Sequence, residues 1–444
     1  MSGTVFLDVA SDIGRRLCAD AIWHEDRCTW VGAQNDEGPT GEPVVQFVTL
    51  GPDLYGGTSG VALFLAHLYA VTGGPDVRRT AMGAARHALA RTDDLPPDSW
   101  AAYAGRSGPL LAAAVVGLST GGDDLVECVQ KRLRDGGDSA GRADAEDFDV
   151  ISGHAGAVLG LLTLGALLKD GALVEAAARR GHSLVAGASR AGGEWSWASS
   201  GSPQSPHLTG YSHGTAGVAH AMLELRAAGG PASWLDVAEA AFAYERRLFD
   251  PGRGNWPDFR SARASGRRSR SPGPGWVTMW CHGAPGIALS RLRAVELFDD
   301  EDCRREAVVA VETTRRNVLA WLPTASNYSL CHGLAGNAEV LLCAHEVLGA
   351  SEEASCQVAL EVAERGIDRY APDGRWPCGT TEGMTPNLLL GLAGIGLFYL
   401  RLHDPSIPSV LLLRPEAYRR LAVRHPAVDF GRIYTSEVQI RPKS

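Results

Sequence analysis

The sequence predicts an all-α fold, an α/α toroid of seven helical hairpins arranged as inner and outer helix rings, and three observations carry that prediction. Glycine accounts for 53 of 444 residues, about 12% against an average near 7%. The excess is organised: a Gly-x-x-Gly element followed by an apolar run recurs seven times, and a fixed element at such spacing marks a repeat architecture. Strand-like alternation is scarce, whereas apolar positions near i, i+3, i+4 and i+7 are common.

The elements run in order. Gly57-Thr-Ser-Gly60 precedes VALFLAHLY, Gly105-Arg-Ser-Gly108 precedes PLLAAAVVG, Gly153-His-Ala-Gly156 precedes AVLGLLTL and Gly214-Thr-Ala-Gly217 precedes VAHAMLEL. Gly283-Ala-Pro-Gly286, Gly333-Leu-Ala-Gly336 and Gly391-Leu-Ala-Gly394 complete the set, and the first glycines lie 48, 48, 61, 69, 50 and 58 residues apart. Each unit reads as an apolar helix opening at the glycines and then an amphipathic one, such as LVEAAARRGHSLVAGA. A helix apolar all round must be buried and its amphipathic partner faces water, hence two rings. Free N–H groups at the seven helix starts would point at one mouth of the ring.

Two segments, 192–210 and 252–275, are rich in Gly, Ser and Pro and read as long loops. The second carries arginines 253, 260, 263, 267, 268 and 270 and no lysine; it reads as a solvated loop, the alternative being a docking surface for an acidic peptide. Residues 1–413 form the repeat domain, and 414–444 is an extension without an assignment.

Composition narrows the function. A net charge of −9 suits no nucleic-acid backbone. The longest uncharged apolar stretch, Leu388 to Leu400, is too short for a bilayer, which needs about 20 helical residues. The N-terminus has neither a basic region nor a continuous apolar one, so a cytoplasmic location is expected. Nine cysteines without a close CxxC pair favour reduced thiols or metal ligands over disulfides.

Histidine immediately precedes three of the Gly-x-x-Gly elements, as Ser212-His213-Gly214, Cys281-His282-Gly283 and Cys331-His332-Gly333. Thiolate and neutral imidazole are the preferred zinc ligands, and three protein ligands with an open fourth position define a catalytic site. Cys281 and Cys331 are 50 residues apart, so only a preformed scaffold that superposes repeats would bring them together. The alternative is two buried cysteines beside helix starts. Cys303, Cys343 and Cys356 fall within helical runs and read as buried thiols, while His154 and His220 read as satisfying local hydrogen bonds. His213 shares the repeat position of the metal candidates without a cysteine, a place from which an imidazole can exchange protons with a bound group.

The segments Trp-Cys-His-Gly-Ala-Pro-Gly-Ile (280–287), Ser-Leu-Cys-His-Gly-Leu-Ala-Gly-Asn (329–337), Tyr-Ser-His-Gly-Thr-Ala-Gly (211–217) and Gly-Leu-Ala-Gly-Ile-Gly (391–396) together resemble the lanthipeptide cyclases, the LanC-like family. The likeness runs from about residue 13 to 413, and the opening Leu-Cys-Ala-Asp-Ala-Ile-Trp-His-Glu-Asp-Arg-Cys-Thr-Trp (17–30) is most similar to the cyclase half of class II lanthipeptide synthetases. That resemblance implies a barrel of seven inner and seven outer helices, Zn2+ on Cys281, Cys331 and His332, an acid/base histidine at His213, and an acidic partner at Asp149. It implies a dehydrated precursor peptide as substrate, a separate dehydratase, and addition of a peptide cysteine thiolate to dehydroalanine or dehydrobutyrine to form (methyl)lanthionine. Two positions depart from the pattern of many stand-alone members: His282 stands in place of tyrosine and Val277 in place of arginine. His282 is then either a second acid or a hydrogen-bonding support for the metal site.

Other readings are addition of an external thiol such as glutathione, a zinc-stabilised scaffold that only holds peptide for a partner dehydratase, and prenyl or carbohydrate chemistry on the same fold. Sugar hydrolysis requires two carboxylates flanking a cleft, and the repeat mouths are poor in Asp and Glu.

Overall fold

The computed structural model describes residues 3–37, 43–140, 147–199, 206–260 and 274–424. Arg263, Arg267, Arg268 and Arg270 of the arginine-rich loop, and the tail beyond 424, lie outside the described residues. The chain is mostly helical, with few and short strands. It opens with α1 (Gly3–Ala19), followed by two hairpins: β1 (Ile22–His24) with β2 (Arg27–Thr29), and β3 (Val31–Glu37) with β4 (Pro43–Thr49). Then come α2 (Thr58–Thr72), α3 (Pro75–Ala90), α4 (Ser107–Thr120), α5 (Asp123–Ala140), α6 (His154–Leu168) and α7 (Gly171–Gly187). A third hairpin, β5 (Ser189–Ala191) with β6 (Glu194–Ser196), precedes α8 (Thr215–Ala227) and α9 (Ser233–Leu248). The remainder is α10 (Ala284–Phe298), α11 (Glu301–Trp321), α12 (Leu334–Leu348), α13 (Glu353–Tyr370), α14 (Leu392–His403) and α15 (Pro415–Arg424).

The even-numbered helices α2 to α14 are the apolar runs that begin at the glycines. Every residue of α6 is buried, and its Thr163 hydroxyl donates to the Leu159 carbonyl at 2.7 Å, so no polar side chain needs a wet face. Burying each of its leucines contributes about 1.5–3 kcal/mol, which no solvent-facing placement would recover. In α7 the buried residues are Leu173, Ala176, Ala177, Arg180, Gly181 and Leu184, one stripe at helical spacing with the opposite face wet. Buried helices contact one another in a closed cycle, α2 to α4, α6, α8, α10, α12, α14 and back to α2.

The pairing differs from the expectation at one place. Six buried helices pack on the helix that follows, but α14 packs on α1 from the other end of the chain. Phe6, Val9, Ala10, Ile13 and Leu17 of α1 form the stripe that α14 covers, so the seventh pair is not a hairpin. After α14 the chain turns inward instead. Ile407, Val410, Leu411, Leu412 and Leu413 are buried, and α15 packs against α6 and α4 with Tyr418 fully enclosed. Tyr418 thus anchors the described part of the 414–444 extension to the core.

Buried ion pairs cross-brace the helices: Arg291 to Glu245 at 2.7 Å, Arg293 to Glu224 at 2.6 Å and Arg401 to Glu339 at 2.8 Å. The second glycine of each element permits close approach of the preceding loop. A Cβ on Gly336 would collide with the Leu330 carbonyl, and Gly283 has φ 86°, a conformation that L side chains rarely adopt.

Candidate active site

The loops before the buried helices bond to one another around one mouth of the cycle. Leu389 N–H donates to Tyr55 O (3.0 Å), Tyr55 N–H to Tyr103 O (3.0 Å), Ala104 N–H to Ile151 O (3.0 Å), Val150 N–H to Ser212 O (3.0 Å) and Ser212 N–H to Cys281 O (3.1 Å). Cys331 N–H donates to Leu389 O at 2.9 Å. Between the 281 and 331 loops this backbone ladder gives way to side chains. Asn337 Nδ2 donates to Thr278 O at 3.0 Å, and the Cys281 and Cys331 thiols hydrogen-bond each other. Beneath lies an aromatic floor: Trp280 against Tyr103 (5.6 Å) and Tyr211 (5.5 Å), with Trp280 Nε1 donating to Leu411 O at 2.9 Å. The ladder presents six candidate residues on one rim, although they come from four repeats.

Cys281 and Cys331 are both buried and free. Their shared hydrogen bond, then the nearby Arg260 guanidinium, hold the Cys281 thiol below its ordinary value against the opposing effect of burial. The same hydrogen bond and burial push Cys331 up, and the Tyr55 hydroxyl hydrogen-bonds its sulfur. Burial pushes the His332 imidazole down, and its Nε2 faces the Gly379 carbonyl at 3.0 Å. A carbonyl only accepts, so the proton sits on Nε2 and the Nδ1 lone pair is left for another partner.

Two thiols and an imidazole of fixed tautomer match the donor chemistry of zinc. The ring does not close on the sulfurs here. Among the described residues the trio whose ligand atoms all lie within 4.8 Å of one another is Glu239, Asp300 and Cys303, not Cys281, Cys331 and His332. That other trio has a capping explanation on the outer layer: Asp300 caps α11 by accepting from Cys303 N–H at 2.8 Å, and Cys303 is fully buried. Burial, then the hydrogen bond to Asp300, pushes Glu239 up to about 7.

His213 Nδ1 lies 2.6 Å from Asp149 Oδ2. The other carboxylate oxygen, Oδ1, accepts from the backbone N–H of Ser152 (2.8 Å) and Gly153 (3.0 Å), so the side chain is fixed by its own turn. Burial alone would raise the Asp149 carboxyl, but the His213 hydrogen bond and charge, with those two N–H donors, hold it below the usual carboxylate range. An ionised carboxylate accepts only, so Nδ1 carries the proton and Nε2 is the exchanging atom. The His213 side chain is 38% exposed and reaches the mouth.

His282 stacks on His213 with ring centroids 5.7 Å apart and planes at 26°. It is buried, and burial followed by the Arg260 charge pushes its pKa down to about 3 against smaller raising effects from Asp258 and the Thr209 backbone. Val277 serves the scaffold: its carbonyl accepts from Asn255 Nδ2 at 3.0 Å.

A cavity of about 200 Å³ opens beside His213, lined by Asp149, Phe148, Trp197, Leu208 and Arg260 among others. In the sequence Arg260 reads as one charge in a loop, and Tyr55 is not among the candidates. A signal exists for each, since Tyr55 occupies the loop before the first Gly-x-x-Gly and Arg260 follows the Trp-Pro-Asp segment whose Asp258 pairs with it. His220 does bond locally, to Tyr211 (2.7 Å) and Glu224 (3.1 Å), whereas His154 Nδ1 lies 3.5 Å from Arg180 Nη1 of α7. No described helix is long and apolar enough to cross a membrane.

Comparison with known proteins agrees with this architecture. A structure of nisin cyclase is similar with a TM-score of 0.58 at 15% identity, covering 83% of this chain and 92% of that one. A GH76 α-mannanase of Bacteroides thetaiotaomicron (TM-score 0.48, 10% identity, 95% and 97% covered) and a sugar epimerase from a ruminal bacterium (0.46, 12%, 91% and 99%) are more distant in shape. Residues 48–412 match the family described as Lanthionine synthetase C-like protein, and with that match spanning most of its length the chain belongs to this family.

Proposed function

We propose that this protein is a zinc-dependent lanthipeptide cyclase, built as a seven-fold α/α toroid, that joins a cysteine of a dehydrated precursor peptide to dehydroalanine or dehydrobutyrine. The observation that carries the reading is the hydrogen-bonded His213–Asp149 pair on the same rim as the buried Cys281 and Cys331 thiols. Cys281, Cys331 and His332 would hold the zinc ion, which when bound favours the thiolate form of a coordinated sulfur.

The rest of the chemistry falls to the chain's own side chains. His213 lines the cavity with Nδ1–H held on Asp149, which leaves Nε2 to take the proton of a peptide thiol whose free pKa is about 8.5. Attack of that sulfur on the alkene β-carbon leaves an enolate, and His213 returns the proton to Cα. Asp149 keeps the ring in one tautomer and orientation through both transfers. His282, buried and neutral, fits the supporting role better than that of a second acid; its ring backs the His213 face. The loop-bonded mouth holds the peptide bent, since the reaction is intramolecular and gains from enforced proximity.

Dehydration is supplied by a separate enzyme, and a cytoplasmic setting that keeps the nine thiols reduced suits the chemistry. The test is incubation of zinc-loaded protein with a dehydrated precursor, with free thiols counted by alkylation and mass spectrometry. Loss of free thiols without mass change supports cyclisation, and its abolition in His213→Ala with zinc retained supports the proton-transfer role. A mass increase upon adding glutathione would favour external thiol addition instead. Unchanged thiols in every arm would leave a peptide-holding scaffold.

A further inference from the structure

We propose that Arg260, braced by Asp258 on the loop between α9 and α10, donates the hydrogen bond that stabilises the negative charge on the substrate carbonyl oxygen as the thioether forms. This rests on the thioether-forming reading above and assigns that site its oxyanion donor.

Arg260 lines the same cavity as His213 and Asp149, and no other arginine or lysine lines it among the described residues. One edge of its guanidinium is anchored: Nε lies 3.1 and 3.2 Å from the two Asp258 oxygens, and Nη2 lies 2.8 Å from Oδ2. Asp258 is itself fixed. It is 6% exposed, its Oδ1 accepts from the Arg260 N–H at 2.9 Å, and its backbone exchanges two 2.8 Å hydrogen bonds with Gly275. The opposite edge is open, because Nη1 has no partner among the described residues and the side chain is 42% exposed at the mouth. A fork held on one side and free on the other is a preorganised donor. Its positive charge acts to lower the pKa of Cys281, Cys331, His282 and His332, in keeping with its place on the cavity wall beside His213.

The chemistry calls for such a group. As the C–S bond forms, the alkene π pair moves toward the carbonyl and the oxygen becomes an enolate oxyanion. When Cα accepts a proton the C=O bond is restored, and the thiol proton lost equals the proton gained, so no oxidant or further reactant is needed. His213 handles that proton. A guanidinium stays protonated throughout, so Arg260 contributes charge and N–H donors without competing in the transfer.

The experiment compares wild type, Arg260→Ala, Arg260→Lys and Asp258→Asn as zinc-loaded full chains on one dehydrated precursor, with kcat, KM, zinc content and thermal unfolding measured. Arg260→Ala is expected to lower kcat about 100-fold with KM changed less than about threefold, the scale of one lost oxyanion donor. Arg260→Lys falls between, and Asp258→Asn lowers kcat with zinc retained. Added guanidinium restores part of the Arg260→Ala rate and none of the His213→Ala rate. Wild-type kcat in Arg260→Ala, or a loss confined to KM as an acidic-peptide grip would give, overturns the assignment while leaving the cyclase reading intact. An inactive wild type sinks both.

Discussion

Replacing Asp149 by Asn tests the site without disturbing its shape. Oδ1 of Asp149 accepts from the Ser152 and Gly153 N–H groups at 2.8 and 3.0 Å, so the asparagine keeps its carbonyl oxygen there and must present its NH2 to His213. An amide NH2 donates only, and the position 2.6 Å away already holds the Nδ1–H. The imidazole then has to move its proton to Nε2, where the lone pair that removes the thiol proton is lost. The forfeited charge-assisted hydrogen bond is worth about 1.5–3 kcal/mol, or roughly 10- to 150-fold in kcat. The assay is single-turnover cyclisation of a dehydrated precursor, quenched by thiol alkylation and read by mass spectrometry, with circular dichroism to verify folding. Asp149→Ala leaves Nδ1 to water and imposes no tautomer, so Asn should be at least as slow as Ala. A kcat for Asp149→Asn within about threefold of wild type, or an Ala variant far slower than the Asn one, refutes the argument.

The same pair sets a pH dependence. Because the folded Asp149 pKa is depressed, its contribution to stability is present above the unfolded value of about 3.9 and is lost as pH falls through the lower folded value. The difference in thermal unfolding between wild type and Asp149→Asn should therefore persist at about pH 5 and shrink only as pH falls through and below the carboxylate range. Cys281→Ala should retain less than about a tenth of the wild-type zinc by elemental analysis after dialysis; full retention would remove Cys281 from the ligand set. Glu224→Gln strips the fully buried Arg293 of its closest partner, leaving Glu296 and Glu416, and is expected to cost about 3 kcal/mol in urea unfolding. The Tyr418 hydroxyl is buried without a partner among the described residues, so Tyr418→Phe should be neutral or stabilise by up to about 1 kcal/mol; a large loss would reveal a partner for that hydroxyl.

Much of the helical frame was legible in the sequence because its signals are local. The buried helices begin at Thr58, Ser107, His154, Thr215, Ala284, Leu334 and Leu392, each inside or beside a Gly-x-x-Gly element. The three short hairpins, β1 to β6, went unread because strands of three to seven residues offer too little alternation to stand against helical runs. The 405–418 segment carries weak periodicity, and only the enclosure of Leu411 and Tyr418 reveals it as core.

The sequence by itself determined the apolar helices, the glycines that open them and the chemical identity of the rim residues, since these depend on periodicity and side-chain type. Tertiary structure alone decided which distant groups meet. It pairs α14 with α1, sets the Cys281 thiol against Cys331, turns His332 toward the Gly379 carbonyl and brings Arg260 to the cavity of His213. The reason is physical: helix formation answers to neighbours three and four residues away, whereas the mouth is assembled by hydrogen bonds between loops tens to hundreds of residues apart.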